Sequence, residues 1–477
     1  MSHSDSSADA SKAGESAAAR DAESGPAHDA EGGPAVRDPP KLDAPPLVGN
    51  TLQFARDPFG FYDRLDEQGE AVRYEVAGQE FCTIFEPEYV ERILVADNEK
   101  FVKAEMFREA AAGFAERGLL LTEGEVWRDQ RVRIQPAFTP DKIQSYADAM
   151  VTYADRLGDE LVDSELVNVE DVMSELTLEI LAKSLFDVDV SGRLDVVRAA
   201  AAALNERGDA SGASAFLPNW VPTRKNRRFK RAMADFESMV DDLIAERRRD
   251  GPDSYDDLLS VLLDAEGPDG TTMADDVVRD QMVTFLFAGH ETTALALTYA
   301  WHLLARNPDK LDRLRAELDA ELGDRRAQMT DLHALDYTEQ VVNETLRLYP
   351  PAHVLFREPT EDVTLGSYRV RRGTAISIPI FKLHRDGRFY DEPDEFRPER
   401  WTEEFENEIP DYAYFPFGGG PRHCIGMRFA MTELKLVLAT LAREVSFDPT
   451  YEGDPDLSMA ATMRPDQSME MRVLERG

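Results

Sequence analysis

Phe415-Pro416-Phe417-Gly418-Gly419-Gly420-Pro421-Arg422-His423-Cys424-Ile425-Gly426 is the stretch on which the reading of this chain turns. Gly418, Gly419, Gly420 and Gly426 carry no Cβ, so the backbone can come close to a flat group. Cys424 falls where a helix over 425–443 is expected to begin, and the amides of a helix start favour negative charge on sulfur. A thiolate so placed, and shielded from protons, suits the iron of a planar macrocycle. Arg422, two residues earlier, can reach a carboxylate on the rim of such a ring. Phe417 can pack against the ring or the sulfur. The other cysteine, Cys82, lies on a predicted strand between apolar neighbours and reads as core.

The run resembles the haem-binding signature F-x-x-G-x-R-x-C-x-G of the cytochrome P450 family of haem-thiolate monooxygenases. Phe417, Gly420, Arg422, Cys424 and Gly426 stand at its fixed positions. The resemblance implies haem b (iron protoporphyrin IX), with Cys424 as the axial ligand of the iron. It also implies a mainly α fold with small β-sheets, a triangular helical prism whose long central helix lies over the haem.

Upstream, a helix is expected from about Met273, capped by Thr271 or Thr272, to Arg306, where Asn307-Pro308 stops it. Its centre (Val283, Phe285, Leu286, Phe287, Ala288) is apolar nearly all round and therefore buried. Within it, Ala288-Gly289-His290-Glu291-Thr292-Thr293 places a threonine able to bond the Ala288 carbonyl four residues back. Gly289 is read as room for a small molecule. The resemblance makes this the oxygen-binding groove, with Glu291 and Thr292 as the catalytic pair that relays protons for O–O cleavage. It assigns His290 no role.

Glu344-Thr345-Leu346-Arg347 puts acid and base one turn apart on a helix over 336–348. Phe396-Arg397-Pro398-Glu399-Arg400-Trp401 follows it. The pair resembles the family's E-x-x-R helix and its F-x-P-E-R-F segment. Glu344, Arg347 and Arg400 are then expected to form a buried ion network beneath the haem. Trp401 stands where Phe is usual, a departure expected to have no consequence. Trp127-Arg128-Asp129-Gln130-Arg131 matches the family's W-x-x-x-R, so Trp127 and Arg131 join the haem-binding set, with Arg131 facing a propionate. His353 and Arg357 are both candidates for a further propionate contact.

Along the remaining chain, residues 1–44 are Ala, Ser, Gly, Asp, Glu and Pro with almost nothing large and apolar, the composition of a disordered acidic tail. Patterned sequence over 45–477 shows no repeat and no linker, which points to a single domain. A hairpin is expected over 70–85 around Ala77-Gly78, then helical blocks to about Leu263, a helix near 309–322, strands around 362–379 and a terminal strand pair.

The formal net charge is −38, with 11 lysines against 43 arginines. Nucleic-acid binding requires a basic footprint, so that class is excluded. Carboxylates hold dense hydration and molar salt screens their repulsion, which points to a cytoplasmic protein from an organism with a salty cytosol. Two cysteines fit a reducing compartment, and no apolar run is long enough for a transmembrane helix. Against the acidic background two basic runs stand out. In the run Arg128-Asp129-Gln130-Arg131-Val132-Arg133, Arg128 and Arg133 suggest docking of an electron donor at the Cys424 face. Arg224-Lys225-Asn226-Arg227-Arg228-Phe229-Lys230-Arg231, preceded by Phe216-Leu217-Pro218-Asn219-Trp220-Val221, suggests peripheral membrane contact over 216–231.

The reaction implied is insertion of one oxygen atom of O2 into a C–H bond of a lipophilic substrate, a fatty acid, terpenoid or carotenoid. Phe114, Leu119, Leu120, Leu121, Phe287, Ala288, Val354 and Leu355 are the expected pocket wall. With no dinucleotide fingerprint and no iron–sulfur pattern, electrons must come from NAD(P)H indirectly, through a reductase and a ferredoxin or similar donor. Two alternatives are a peroxide-driven enzyme and a haem-based redox or gas sensor. Glu291 and Thr292 argue against the first, and no attached signalling domain is visible for the second.

Overall fold

The computed structural model describes residues 36–46, 48–188, 192–208, 221, 223–251, 255, 257–264 and 270–476. Its axis is the helix Asp275–Arg306, about 48 Å long at 1.5 Å per residue. Nearly every face of that helix is buried, because other helices surround it: Val169–Phe186, Arg224–Asp250, Asp336–Leu348 and Met427–Leu441. It ends at Arg306 as expected. It begins two residues later than expected, however, with Ala274 as an N-cap that makes no side-chain bond, so neither Thr271 nor Thr272 caps it.

Small sheets flank this helical body. The largest has the order Ala71–Val76, Gln79–Ile84, Ala375–Pro379, Val354–Pro359, Phe101–Val102, with Gln79–Ile84 and Ala375–Pro379 parallel and the other pairs antiparallel. The first hairpin turns at Ala77-Gly78, both with positive φ (54° and 81°), the twist that two-residue hairpin loops require. Val354–Pro359 is a strand that the sequence reading passed over. At the C-terminus Glu470–Glu475 pairs with both Val445–Pro449 and Leu166–Asn168, while Leu457–Met459 and Met463–Pro465 form a separate hairpin.

One expectation about the chain's start needs correction. Residues 37–42 were assigned to the tail, yet Arg37 N–H donates to the Ser367 carbonyl (2.9 Å) and Leu42 N–H to that of Arg73 (2.8 Å). Arg37 also lies over the Tyr368 ring at 5.0 Å. Composition missed this because the pairing is made by backbone groups and by charged side chains, Arg37, Asp38 (with Arg369 and Arg371) and Lys41, which leave no apolar signature. The tail call over 1–35 lies outside the described residues, as does the apolar half of the membrane-contact call, Phe216–Trp220.

Beneath the central helix the predicted ion network is present. Glu344 and Arg347 are fully buried. Glu344 Oε1 accepts from Arg347 Nη2 (2.8 Å), Arg400 Nε (2.9 Å) and the Arg397 backbone N–H (2.9 Å). Its Oε2 accepts from Arg347 Nε (2.8 Å) and Trp401 Nε1 (2.9 Å). Trp401 is therefore no idle replacement, because a phenylalanine has no N–H to give. The arginines then reach outward. Arg347 donates to the carbonyls of His384, Pro393 and Glu395, and Arg400 to those of Asp391 and Glu392. A buried carboxylate is tolerated only when its lone pairs are satisfied in this way.

Trp401→Phe leaves Glu344 Oε2 one donor short, and denaturant unfolding is expected to show a loss of about 1–3 kcal/mol. Glu344→Ala strands two buried guanidinium groups and is expected to cost more, about 3–5 kcal/mol. Equal stability of Trp401→Phe and wild type would rule out the indole as a working donor.

Candidate active site

The ion network positions the cysteine loop through His384. Burial and the neighbouring Arg347 push the His384 pKa down to about 3, so its ring is neutral and Nε2 accepts the Phe415 backbone N–H at 2.9 Å. From there the chain folds back on itself. Gly418 N–H donates to the Phe415 carbonyl (2.9 Å), His423 N–H to that of Gly420 (3.1 Å) and Cys424 N–H to that of Phe417 (2.9 Å). Gly418 and Gly420 have φ of +72° and +63°, a region that costs a side-chain-bearing residue energy. At Gly420 a Cβ would also lie 1.8 Å from the Leu94 carbonyl oxygen. Gly426 differs, since a Cβ there would make only ordinary contacts with Phe138 and Cys424.

Cys424 precedes its helix rather than starting it, because the helix runs Met427–Leu441 with Gly426 as N-cap. The side chain is accessible at its surface but closely surrounded by protein. That burial pushes the thiol pKa up, while the Gly426 backbone N–H and the Arg131 guanidinium oppose it. Protein groups alone therefore leave Cys424 short of positive charge, and a metal cation at the sulfur would supply it. Cys82 is fully buried, with burial pushing its pKa up to about 12, and remains a core thiol as expected.

Cations without matching anions lie beside this loop. Burial pushes Lys103 down to a pKa of about 7, and Arg422 and Arg357 lower it further against Glu123. Burial and Arg422 push Arg357 down to about 10. Arg422 pairs with Glu123, donates to the Thr122 carbonyl (2.9 Å) and lies over the Trp127 ring at 4.5 Å. Its Nη1 is buried and, among the described residues, has no hydrogen-bond partner. Three cations facing a single acid, with a donor left over, match the two propionates of protoporphyrin. The residues present therefore fit haem, with Lys103, Arg357 and Arg422 at its carboxylates and Cys424 at its iron. Lys103 was missed because a lone lysine after a two-residue strand carries no motif. Of the two open candidates, Arg357 belongs to this cluster. His353 is buried with its pKa pushed down to about 4, and a neutral ring offers no countercharge.

Trp127 and Arg131 share the helix Gly124–Ile134, but their roles separate. Trp127 supports Arg422, whereas Arg131 donates to the His423 carbonyl at 2.8 Å and so ties the helix to the cysteine loop. The docking patch also divides. Arg128 is exposed. Arg133 is 10% exposed, paired with Asp129 at 2.9 Å and bonded to the Thr271 carbonyl, so it is structural.

On the central helix, Thr292 Oγ1 donates to the Ala288 carbonyl at 2.8 Å, as the spacing predicts, and Thr293 bonds Gly289 in the same way. Gly289 does not leave room for a small molecule. A Cβ there would lie 2.8 Å from Leu181 Cδ1, so the glycine serves close packing against Val169–Phe186. Glu291 and Thr292 are not bonded to each other. Glu291 Oε1 accepts from Asn205 Nδ2 (2.5 Å) and Thr462 Oγ1 (2.9 Å), while Oε2 is buried and has no partner among the described residues. Burial raises its pKa, opposed by those two donors and Arg464. Neither Asn205 nor Thr462 is marked by any motif. His290 is buried with a pKa pushed down to about 4. In the expected pocket wall, Phe114 meets Phe287 edge to face at 5.1 Å, and the Leu119 N–H is held by Gln281 at 2.9 Å.

The family model for cytochrome P450 matches residues 39–472. Cyclooctatin synthase of Streptomyces melanosporofaciens is 34% identical over 406 residues, covering 83% of this chain and 87% of that protein. Pentalenene oxygenase of Streptomyces avermitilis is 31% identical over 440 residues, 91% of this chain and 96% of that protein. The protein LUTEIN DEFICIENT 5, chloroplastic, of Arabidopsis thaliana is 30% identical over 473 residues, 92% of this chain and 78% of that protein.

The cation cluster makes a pH prediction for the haem-free protein. Lys103 titrates at about 7 when folded, against 10.5 ordinarily. Between those values the unfolded chain binds more protons, so stability rises with pH across that window. Urea unfolding is expected to show this rise in wild type and a flatter profile in Lys103→Met. Parallel profiles would remove Lys103 from the cluster.

Proposed function

The chain belongs to the cytochrome P450 family and is a monooxygenase of that family, and from that premise we propose its substrate class, partners and working residues. The substrate is lipophilic, with an isoprenoid skeleton first among the fatty acid, terpenoid and carotenoid candidates. The names of the relatives cyclooctatin synthase and pentalenene oxygenase support that order. The observation that carries the haem chemistry is the cysteine loop set beside three cations that share the single acid Glu123 among the described residues.

Haem held at Cys424 would supply the oxidising chemistry, in which O2, two electrons and two protons leave one oxygen atom on the substrate and the other as water. The chain's own groups supply the rest. The Gly426 amide and Arg131 favour the thiolate form of Cys424. Thr292 holds its hydroxyl on the Ala288 carbonyl within the central helix. Glu291, whose proton affinity burial raises, is the reservoir from which a proton can be passed. Phe114, Phe287 and Leu119 keep bulk water from the groove.

Electrons come from a separate ferredoxin or similar donor fed by an NAD(P)H-dependent reductase, and Arg128 is proposed as part of its docking surface. Among the described residues no helix is long and apolar enough to cross a membrane. The acid excess and the scarcity of lysine support work in a salty cytosol.

The reduced protein with carbon monoxide is expected to show the band of thiolate-ligated haem, and Cys424→His to shift it to that of histidine ligation. A histidine-type band in wild type would overturn the ligand assignment. Steady turnover is expected with reduced ferredoxin and O2, and Arg128→Glu is expected to slow electron transfer about tenfold in low salt, an effect that fades as salt rises. An unchanged rate at low salt would exclude Arg128 from the docking surface.

A further inference from the structure

Glu291 is buried on the central helix, so a proton it passes on has to be replaced through the groups that touch it. Two side chains bond its Oε1. Asn205 Nδ2 comes from the helix Leu194–Gly208, and Thr462 Oγ1 from the hairpin of Leu457–Met459 and Met463–Pro465. They differ in kind. An amide keeps its protons near neutral pH, whereas a hydroxyl can give one proton and take another in the same motion. His290, the neighbour on the same helix, turns its ring to the Leu286 carbonyl and is uncharged.

The surroundings favour a proton on Glu291. Its Oε2 and Asn205 Oδ1 are buried and, among the described residues, have no hydrogen-bond partner. Two buried acceptors without a donor are costly, and a carboxyl proton makes a donor of one of them.

On its other side Thr462 follows Ala461, which is exposed at the hairpin turn. Two residues further on, Arg464 pairs with Glu170 at 2.6 Å, their side chains 30% and 16% exposed. Burial raises the pKa of both Glu170 and Glu291, and Arg464 opposes it at each, while Asp171 and Glu291 add to the rise at Glu170. This ion pair at the surface is therefore within electrostatic reach of the buried carboxyl. The hairpin does not depend on the Thr462 hydroxyl for its place. Met463 N–H donates to the Pro351 carbonyl at 2.9 Å, and the Met463 carbonyl accepts from Tyr299 Oη at 3.0 Å.

We propose that Thr462 is the residue through which Glu291 recovers its proton. The Oγ1–H bond of Thr462 breaks as its hydrogen passes to Glu291 Oε1, and Oγ1 takes a proton from solvent water on the hairpin side. The hydroxyl is thereby restored, and the net change is one proton moved from water to the carboxylate. Thr462 acts through Glu291 and touches no reacting atom, so it is a positioning residue. The assignment rests on the reading of Glu291 as a proton reservoir and adds where that reservoir refills.

Infrared spectroscopy of the resting holoenzyme at about pH 6 tests this without turnover. A protonated-carboxyl band that disappears in Glu291→Gln identifies the group, and its shift on dilution into D2O times the exchange of its proton. Exchange is expected to slow about tenfold in Thr462→Val and to return to within about twofold of wild type in Thr462→Ser. In Asn205→Ala, which removes the other donor to the same oxygen, exchange is expected to be no slower than in wild type. During turnover Thr462→Val is expected to lower kcat with KM nearly unchanged and to enlarge the solvent isotope effect on kcat. Absence of a Glu291 band, unchanged exchange in Thr462→Val, failure of Thr462→Ser to restore it, or equal slowing in Asn205→Ala would each overturn the proposal. A histidine-type band with carbon monoxide would instead strike the haem reading, and the exchange rates of the resting protein would still decide the role of Thr462.

Discussion

Everything near the cysteine depends on one buried carboxylate. Glu344 sits on the helix Asp336–Leu348 with no exposed surface, and its two oxygens accept five hydrogen bonds from Arg347, Arg400, Trp401 and the Arg397 backbone. Such a charge is tolerable only because the partners are charged or strongly polar and their geometry is complete. The arginines use their remaining donors on the carbonyls of 384 and 391–395, an irregular stretch that has no sheet or helix to satisfy them. His384 passes that order on to Phe415, and so to the glycine turns that present Cys424. Structural electrostatics in one place thus sets the position of reactive sulfur in another.

The charge distribution repeats the theme at a second site. On a chain with net charge −38, Lys103, Arg357 and Arg422 are nonetheless gathered where burial disfavours cations. Concentrating positive charge in an acidic protein has a cost, and a bound anionic group would offset it. Arg207 stands apart from that cluster, with Nε and Nη2 buried and, among the described residues, without a hydrogen-bond partner.

Local patterns read well where the chemistry itself is local. Thr292 reaches a carbonyl four residues away, Glu344 reaches an arginine three residues away, and the Cys424 loop closes within a dozen residues. Readings failed where a residue's partner is distant in sequence. Gly289 reads as an opening until Leu181 is seen against it, and Trp401 reads as a neutral exchange until its indole meets Glu344. Arg133 reads as a free cation until the Thr271 carbonyl takes it, and the polar segment 37–42 reads as tail until its backbone pairs with Ser367 and Arg73.

The sequence by itself determined the family, the long buried helix and the E-x-x-R network, and it marked the glycine-rich loop that presents Cys424, because short-range geometry and side-chain chemistry specify them. Only the tertiary structure decided which cations converge beside the loop and what holds Glu291. Those outcomes depend on long-range packing, which brings Lys103 to Arg422 and Asn205 and Thr462 to Glu291. No spacing along the chain encodes such encounters. They follow from burial, which removes water from a polar group and makes the identity of its neighbour decisive.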